Sequence, residues 1–173
     1  MPIVTFVRMD SSTSFYSFTL PLLTGGELPF RSLRGRKVLL VNVASECGFT
    51  PQYRQLQELH EHAQERLAII GLPCNDFGSQ EPGTPEEIRT FCDQRYQITF
   101  PLTAKVRITS DPIHPLYQWL TSMDQNGVRD YPVTWNFTKF LISGEGQWLD
   151  AFGPAVSPFA DEILDQINAN LPS

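Results

Sequence analysis

Two apolar runs in the first half of the chain predict the central strands of a sheet. The runs from Val38 to Ala44 and from Leu67 to Leu72 are almost entirely hydrophobic, and the first is rich in β-branched residues. A strand with apolar residues on both sides has to be covered on both faces, which is typical of α/β folds. The pattern therefore predicts a buried sheet.

Helical patterns accompany these strands. Apolar residues recur at helical spacing from Tyr53 to Ala63, and Thr50 followed by proline gives a start signal, so we place a helix at about residues 51–66. A second helix is expected to run to about Tyr96, because Thr84 is followed by proline and two glutamates in the order of a capping box. This second helix contains Cys92.

The rest of the chain predicts shorter elements. They are an N-terminal β-hairpin formed by the segments Thr5–Thr19 and Leu28–Leu33, a loop at 73–83, strands near Phe100–Ala104, Thr134–Ile142 and Gln147–Phe152, and helices near Pro115–Ser122 and from Ser157 to about Asn170. Alternating strands and helices that close with a hairpin indicate one α/β domain over residues 1–173, with a central mixed sheet flanked by helices.

Composition excludes several classes of function. The chain has 13 basic and 19 acidic side chains, a net charge of −6, and no cluster of lysine and arginine that could follow a nucleic acid backbone. No apolar run approaches the length of a membrane span, and the first 23 residues lack a signal-peptide pattern. We therefore expect a cytoplasmic protein that does not insert stably into membranes.

Cysteine and histidine usage leaves individual thiol chemistry open. Three cysteines are too few for a disulfide framework, and neither a CxxC motif nor zinc-ligand spacing is present. His60 and His62 are two residues apart on a helix and point in different directions, and His114 is isolated, so solvated or packed histidines are expected. The sequence thus predicts no metal and no bound cofactor.

Cys47 lies at the carboxyl end of a central strand, where active sites of α/β folds are commonly found. It follows a central strand and precedes a helix, whose free N–H groups and dipole favour a thiolate. Position alone leaves open that Cys47 is a small packed residue.

Three motifs resemble the glutathione peroxidase family. They are Asn42–Thr50 (NVASECGFT), Pro73–Asn75 with Phe77–Gly83 (PCN and FGSQEPG), and Trp135–Leu141 (WNFTKFL), and the resemblance extends from about Phe30 to Phe152. It implies a thioredoxin-like fold, reduction of hydroperoxides without a cofactor, and a catalytic tetrad of Cys47, Gln80, Trp135 and Asn136.

The tetrad suits peroxide chemistry. A Cys47 thiolate attacks one peroxide oxygen, while the Gln80 amide, the Trp135 indole N–H and the Asn136 amide can donate hydrogen bonds to the thiolate and the leaving oxygen. Without the family resemblance each donor has a plainer interpretation. Gln80 would be a loop surface residue, Trp135 a core aromatic residue, and Asn136 a polar group at a strand edge.

The attack leaves Cys47 as a sulfenic acid that a second thiol can capture. Cys74 is interpreted as a packed residue. Cys92 matches the resolving position of non-selenium family members that use thioredoxin, so the resemblance implies resolution by Cys92 and reduction by thioredoxin, with glutathione as the alternative reductant. Because a disulfide requires Cα atoms within about 7 Å, we expect the helix of Cys92 to unfold locally.

Two departures from the family pattern bear on substrate access and reactivity. Asp76 stands where many relatives have glutamine, and it would disfavour the thiolate if it faced Cys47 but have no effect if it faced solvent. The segment 122–133 lacks the long insertion of tetrameric, glutathione-specific members. The resemblance thus implies a monomer with an open site for hydrogen peroxide and for organic or lipid hydroperoxides.

Two alternatives to a glutathione peroxidase remain at this point. Another thiol enzyme of the same fold is disfavoured, because the absent CxxC speaks against a thioredoxin and Trp135–Asn136 against a peroxiredoxin. The other alternative is a peroxide sensor or redox relay that passes its disulfide to a partner protein. Turnover with a reductant separates an enzyme from a sensor.

Overall fold

The two apolar runs lie side by side in a four-stranded sheet in the computed structural model, which describes residues 13–169. A separate antiparallel hairpin of β1 (Thr19–Pro21) and β2 (Glu27–Pro29) precedes the sheet. The strands of the sheet are β3 (Lys37–Val43), β4 (Leu67–Pro73), β5 (Lys139–Ile142) and β6 (Trp148–Phe152). The strand order is β4-β3-β5-β6, with β3 and β4 parallel and the other two pairs antiparallel.

Helices cover both faces of this sheet. They are α1 (Gln52–Ala63), α2 (Pro85–Tyr96), α3 (Pro115–Thr121), α4 (Met123–Asn126) and α5 (Asp161–Asn168). Alternate residues of β3 divide between two apolar layers, as the twofold period of a strand requires. Leu39 and Val41 pack with α1, α2 and α5, whereas Val38 and Leu40 pack with α3 on the opposite face. The predicted thioredoxin-like α/β architecture is confirmed.

Three predicted elements differ from the structure. Residues 100–104 form only isolated bridges, because Pro101 has no N–H and two hydrogen bonds to Gly71 are all that join this segment to β4. The strand predicted from Thr134 begins at Lys139, after a turn. The Ser157 hydroxyl oxygen accepts a hydrogen bond from the Phe159 N–H and does not cap α5, which begins at Asp161.

The N-terminal hairpin is confirmed with shorter strands than expected. Its first predicted segment began at Thr5, but residues 5–12 lie outside the described part of the chain, as does Asn170 at the predicted end of α5. The tight turn predicted after β5 is present, since the Gly146 N–H donates to the Ser143 carbonyl at 3.0 Å. Helices α1, α2 and α3 lie where the sequence predicted them, and the capping box of α2 is complete.

Candidate functional site

Cys47 lies in a series of tight turns between β3 and α1. The Cys47 N–H donates to the Thr50 hydroxyl oxygen at 3.0 Å, and this hydroxyl donates to the Ala44 carbonyl at 2.8 Å. Thr50 therefore braces the turn and does not cap the helix directly. The Phe49 N–H donates to Cys47 Sγ at 3.4 Å, and a donor at this position stabilises negative charge on the sulfur. Only 8% of Cys47 is exposed.

The loop after β4 is fastened to this turn. The Glu46 N–H donates to the Gln80 carbonyl at 3.0 Å, which places Gln80 beside the residue that precedes Cys47. The Glu81 N–H donates to the Asn75 side-chain oxygen at 2.9 Å and holds the two ends of the loop together. Gly78 and Ser79 both have positive φ, at 69° and 52°, so the loop makes a sharp reversal just before Gln80.

The structure brings Gln80 and Asn136 into direct contact. Asn136 is fully buried, and its Nδ2 donates to Gln80 Oε1 at 3.0 Å and to the Phe77 carbonyl at 3.3 Å. With Oε1 occupied, the Gln80 amide is oriented so that its NH₂ group faces away from Asn136. Within residues 13–169, no protein atom accepts from Gln80 Nε2, which leaves it as a free donor.

Trp135 packs against the same loop. Its ring centroid lies 6.2 Å from that of Phe77, and a Cβ added to Gly78 would stand 2.8 Å from its six-membered ring. Trp135 contacts both apolar layers, including the layer that contains Cys47. In the described part of the chain the indole N–H of Trp135 has no protein acceptor, so it is a second free donor.

Asn42 holds the turn that carries Trp135 and Asn136. This fully buried side chain donates to the Trp135 carbonyl at 3.2 Å and accepts from the Thr138 N–H at 3.0 Å, while its own carbonyl accepts from the Phe137 N–H. These bonds replace strand pairing and explain why β5 starts late. The sequence contained a signal for this role, since an asparagine inside an apolar strand needs polar partners.

Glu81 is a second residue that sequence reasoning missed. It is 0% exposed, and one carboxylate oxygen accepts from the Ser45 N–H and hydroxyl at 3.1 and 2.5 Å. Burial raises its pKa to about 6, although the bonds from Ser45 oppose the rise. A glutamate in a loop rich in glycine and proline gives no sequence signal of burial.

The three cysteines are unpaired thiols, and the sheet separates one of them from the other two. Cys47 and Cys92 belong to the layer of α1 and α2, whereas Cys74 belongs to the opposite layer. Burial raises the pKa of Cys74 to about 12. Burial likewise raises the pKa of Cys92 to about 11, although the hydroxyl of Tyr53 opposes this rise. Both thiols are therefore poor nucleophiles in this conformation.

Asp76 is directed at the backbone of residues 108–110, and its side chain is partly exposed. Its carboxylate accepts from the backbone N–H groups of Ile108, Thr109 and Ser110, at 2.7 to 3.3 Å, and from the Ser110 hydroxyl at 2.7 Å. Burial raises its pKa, but these bonds outweigh burial and bring it to about 2. Asp76 is thus a structural anchor for the loop that follows residue 107.

The histidines have structural contacts. His114 Nδ1 accepts from the Leu116 N–H and caps α3, His62 bonds to the Glu58 carbonyl, and His60 packs edge-on against Phe100. Among residues 13–169, no group of three histidine, cysteine or acidic side chains is arranged to hold a metal ion. Over the same residues, no helix has both the length and the apolar character needed to cross a membrane.

Comparison with known proteins gives one consistent family. The model of the glutathione peroxidase family matches residues 15–121. A glutathione peroxidase-like peroxiredoxin of Schizosaccharomyces pombe is 42% identical over 83% of this chain and 91% of its own. A hydroperoxy fatty acid reductase of Synechocystis is 39% identical over 91% and 96%. The crystal structure titled Trgpx in apo form superimposes with a TM-score of 0.68 at 32% identity, covering 91% of this chain and 97% of the other.

Proposed function

This chain belongs to the glutathione peroxidase family and is a thiol peroxidase, and we propose that Cys47 is the thiol that attacks the hydroperoxide. The observation that supports this assignment is the pair of free donors, Gln80 Nε2 on the loop that is hydrogen-bonded to the Cys47 turn and Trp135 Nε1 on the segment that packs against this loop. In the first step the Cys47 sulfur bonds to one peroxide oxygen and the O–O bond breaks. The proton that the Cys47 thiol gives up ends on the leaving oxygen, which departs as water or an alcohol, and Cys47 becomes a sulfenic acid.

The donors have separate roles in this step. Gln80 and Trp135 donate to the sulfur and to the oxygen that gains charge as the O–O bond breaks, and neither brings a competing negative charge. Both hydrogens of the Asn136 amide are directed at Gln80 and Phe77. We therefore assign Asn136 a positioning role, which differs from the direct donation expected from the family pattern.

Cys92 is the proposed resolving thiol. Its sulfur attacks the Cys47 sulfenic acid, an S–S bond forms, the S–O bond breaks, and the hydroxide leaves as water with the thiol proton. The shared layer of Cys47 and Cys92 supports this pairing over one with Cys74. This pairing requires helix α2 to open locally. Among the 12 residues of α2 only Ile88 and Cys92 are buried, so the free energy needed to open the helix is small.

The reductant and the substrate class follow from the proposed disulfide and the relatives. We propose that thioredoxin reduces the Cys47–Cys92 bond, since an intramolecular disulfide is the substrate of a dithiol reductant. One relative is named a hydroperoxy fatty acid reductase, which supports lipid hydroperoxides as substrates beside hydrogen peroxide. The monomeric state and the cytoplasmic location stay predictions.

Steady-state peroxide consumption with thioredoxin and, separately, with glutathione tests the proposal. We expect rapid turnover with thioredoxin, loss of this turnover in Cys92→Ser, and retention of it in Cys74→Ala. Faster turnover with glutathione than with thioredoxin would contradict the assigned reductant. Oxidation of one equivalent without turnover by either reductant would instead favour a sensor that passes its disulfide to a partner.

A further inference from the structure

One carboxylate oxygen of Glu81 lacks any partner in the described structure. Oε1 accepts both bonds from Ser45, whereas Oε2 is shielded from solvent and receives no donor. A buried carboxylate is costly unless its oxygens are hydrogen-bonded or paired with a cation. The side chain is therefore held in an environment that disfavours its charged form, and movement that exposes it to water is favoured at neutral pH.

Glu81 connects the Cys47 turn to α2. Its carboxylate binds Ser45, two residues before Cys47, and its backbone lies three residues before Thr84, the cap of α2. A pocket of about 600 Å³ lies between the turn and the helix, and its lining includes Glu81 together with Ile88 and Phe91 of α2. Opening of α2 away from the turn thus changes the surroundings of Glu81 directly.

We propose that Glu81 is a positioning residue for the resolving step, whose buried carboxylate keeps α2 weakly docked and so sets how often Cys92 is released towards oxidised Cys47. The proposal rests on the assignment of Cys92 given above. Glu81 touches no reacting atom in this scheme. It acts through the equilibrium between docked and open α2, and the attack of peroxide on Cys47 does not depend on that equilibrium.

The sign of the pH dependence follows from linkage. The pKa of Glu81 is about 6 in the docked state and 4.5 without burial, so the docked state binds more protons between these values. The stabilisation from the protonated carboxyl is complete below 4.5 and is lost as pH rises through 6. Between pH 5 and pH 7.5 the opening equilibrium of α2 should therefore increase about eightfold.

Other groups face Glu81 and could contribute to a pH dependence. They are Glu46 on the turn, Lys105 on the following loop, Glu87 and Arg95 of α2 across the pocket, and the Cys92 thiol and Tyr53 hydroxyl in the apolar layer. The raised pKa of Cys92 and Tyr53 keeps both protonated throughout this range. Glu81→Gln retains all of these groups, so it isolates the contribution of Glu81.

Amide hydrogen exchange of α2 in the reduced protein tests the proposal. We expect the protection factors of Ile88 to Cys92, corrected for intrinsic exchange, to fall about eightfold from pH 5 to pH 7.5 in the wild type. In Glu81→Gln they should be equal at the two pH values. Glu58→Gln removes an exposed carboxylate from α1 and should behave as the wild type does. A wild-type pH dependence that persists in Glu81→Gln would overturn the proposal.

The rate of disulfide formation gives a second readout. After one equivalent of peroxide, the rate of Cys47–Cys92 formation should rise with pH in both proteins, because the Cys92 thiolate is the attacking species, and the rise from pH 5 to pH 7.5 should be about eightfold smaller in Glu81→Gln than in the wild type. An unchanged pH dependence of disulfide formation in Glu81→Gln would contradict the role of Glu81. If the wild type forms no such link, the assignment of Cys92 fails, and the exchange data alone decide whether Glu81 weakens α2 docking.

Discussion

The orientation of one amide group determines which hydrogen-bond donors the proposed site offers. Asn136 occupies Gln80 Oε1 and thereby presents Gln80 Nε2 as a donor, while Trp135 keeps its indole N–H free. The sequence predicted these residue types through the family motifs. It could not predict that Asn136 uses both amide hydrogens inside the protein, because this depends on where the Phe77 carbonyl lies.

Replacing Trp135 with phenylalanine tests the donor role at this scale. Phenylalanine keeps an aromatic ring against Gly78 but removes the N–H, so the second-order rate of peroxide consumption should fall by about 10²-fold. Thermal unfolding should change little, because Trp135 is only half-buried and its N–H has no protein acceptor in residues 13–169. The rate is measured by stopped flow with an assay that follows the peroxide itself, because the substitution changes the tryptophan fluorescence of the protein. A rate equal to the wild type's would remove Trp135 from the donor set.

Asp76 should affect the stability of the fold but not the reactivity of Cys47. Its pKa of about 2 lies below the ordinary 3.8, so its stabilisation is present above pH 3.8 and is lost as pH falls through 2. Asp76→Asn should lower the free energy of unfolding at pH 7 by about 1–2 kcal/mol, allowing for partial exposure. The rate of Cys47 oxidation should stay within about twofold. Urea unfolding and peroxide kinetics check both expectations, and a large increase in rate would show that Asp76 acts on the thiolate.

At the scale of elements, α2 is the part of the fold that the proposed resolving step requires to move. Its start was predictable, because the capping box needs only neighbouring residues, and both of its reciprocal hydrogen bonds are present. The small number of its buried residues was less predictable, since burial depends on how α2 meets α1 and the Cys47 turn. The shortened β5 has a similar cause, because Asn42 captures the backbone of residues 135–138 through tertiary contacts.

Changing the cap of α2 should change the resolving step alone. Thr84→Ala removes the capping bond and should destabilise α2 by about 1 kcal/mol, which accelerates Cys47–Cys92 formation about fivefold. Thr90→Ala, at an exposed interior position of the same helix, raises helix propensity and should slow this step about twofold. Quenched-flow alkylation measures the disulfide. Equal rates in both variants would mean that α2 opening does not limit resolution.

At the scale of the whole molecule, the α/β layering follows directly from the sequence, whereas one buried charge does not. Lys139 is 0% exposed in β5 and donates to the carbonyls of Pro154 and Val156, and within residues 13–169 no carboxylate pairs with it. Burial lowers its pKa to about 7. From sequence alone, a lysine in a strand is expected to face solvent. Its burial depends on the segment after β6, which covers it and accepts its hydrogen bonds.

This buried lysine gives the molecule a measurable pH dependence. Between pH 7 and 8.5 the unfolded chain binds a proton at Lys139 that the folded protein does not, so the free energy of unfolding should rise with pH. Lys139→Met should remove this rise, and Lys105→Met, at an exposed position, should keep it. Denaturant unfolding at several pH values measures the slope. If the free energy of unfolding rises with pH equally in Lys139→Met, another group causes the rise.

The central claim is that Cys47 carries out the attack on peroxide, and single-turnover consumption tests it most directly. The reduced protein is mixed with one equivalent of hydrogen peroxide without reductant, and the remaining peroxide and the peptide disulfides are measured. The wild type and Cys92→Ser should each consume one equivalent per chain, the wild type with a Cys47–Cys92 link, and Cys47→Ser should consume none. Consumption by Cys47→Ser at the wild-type rate would contradict the account.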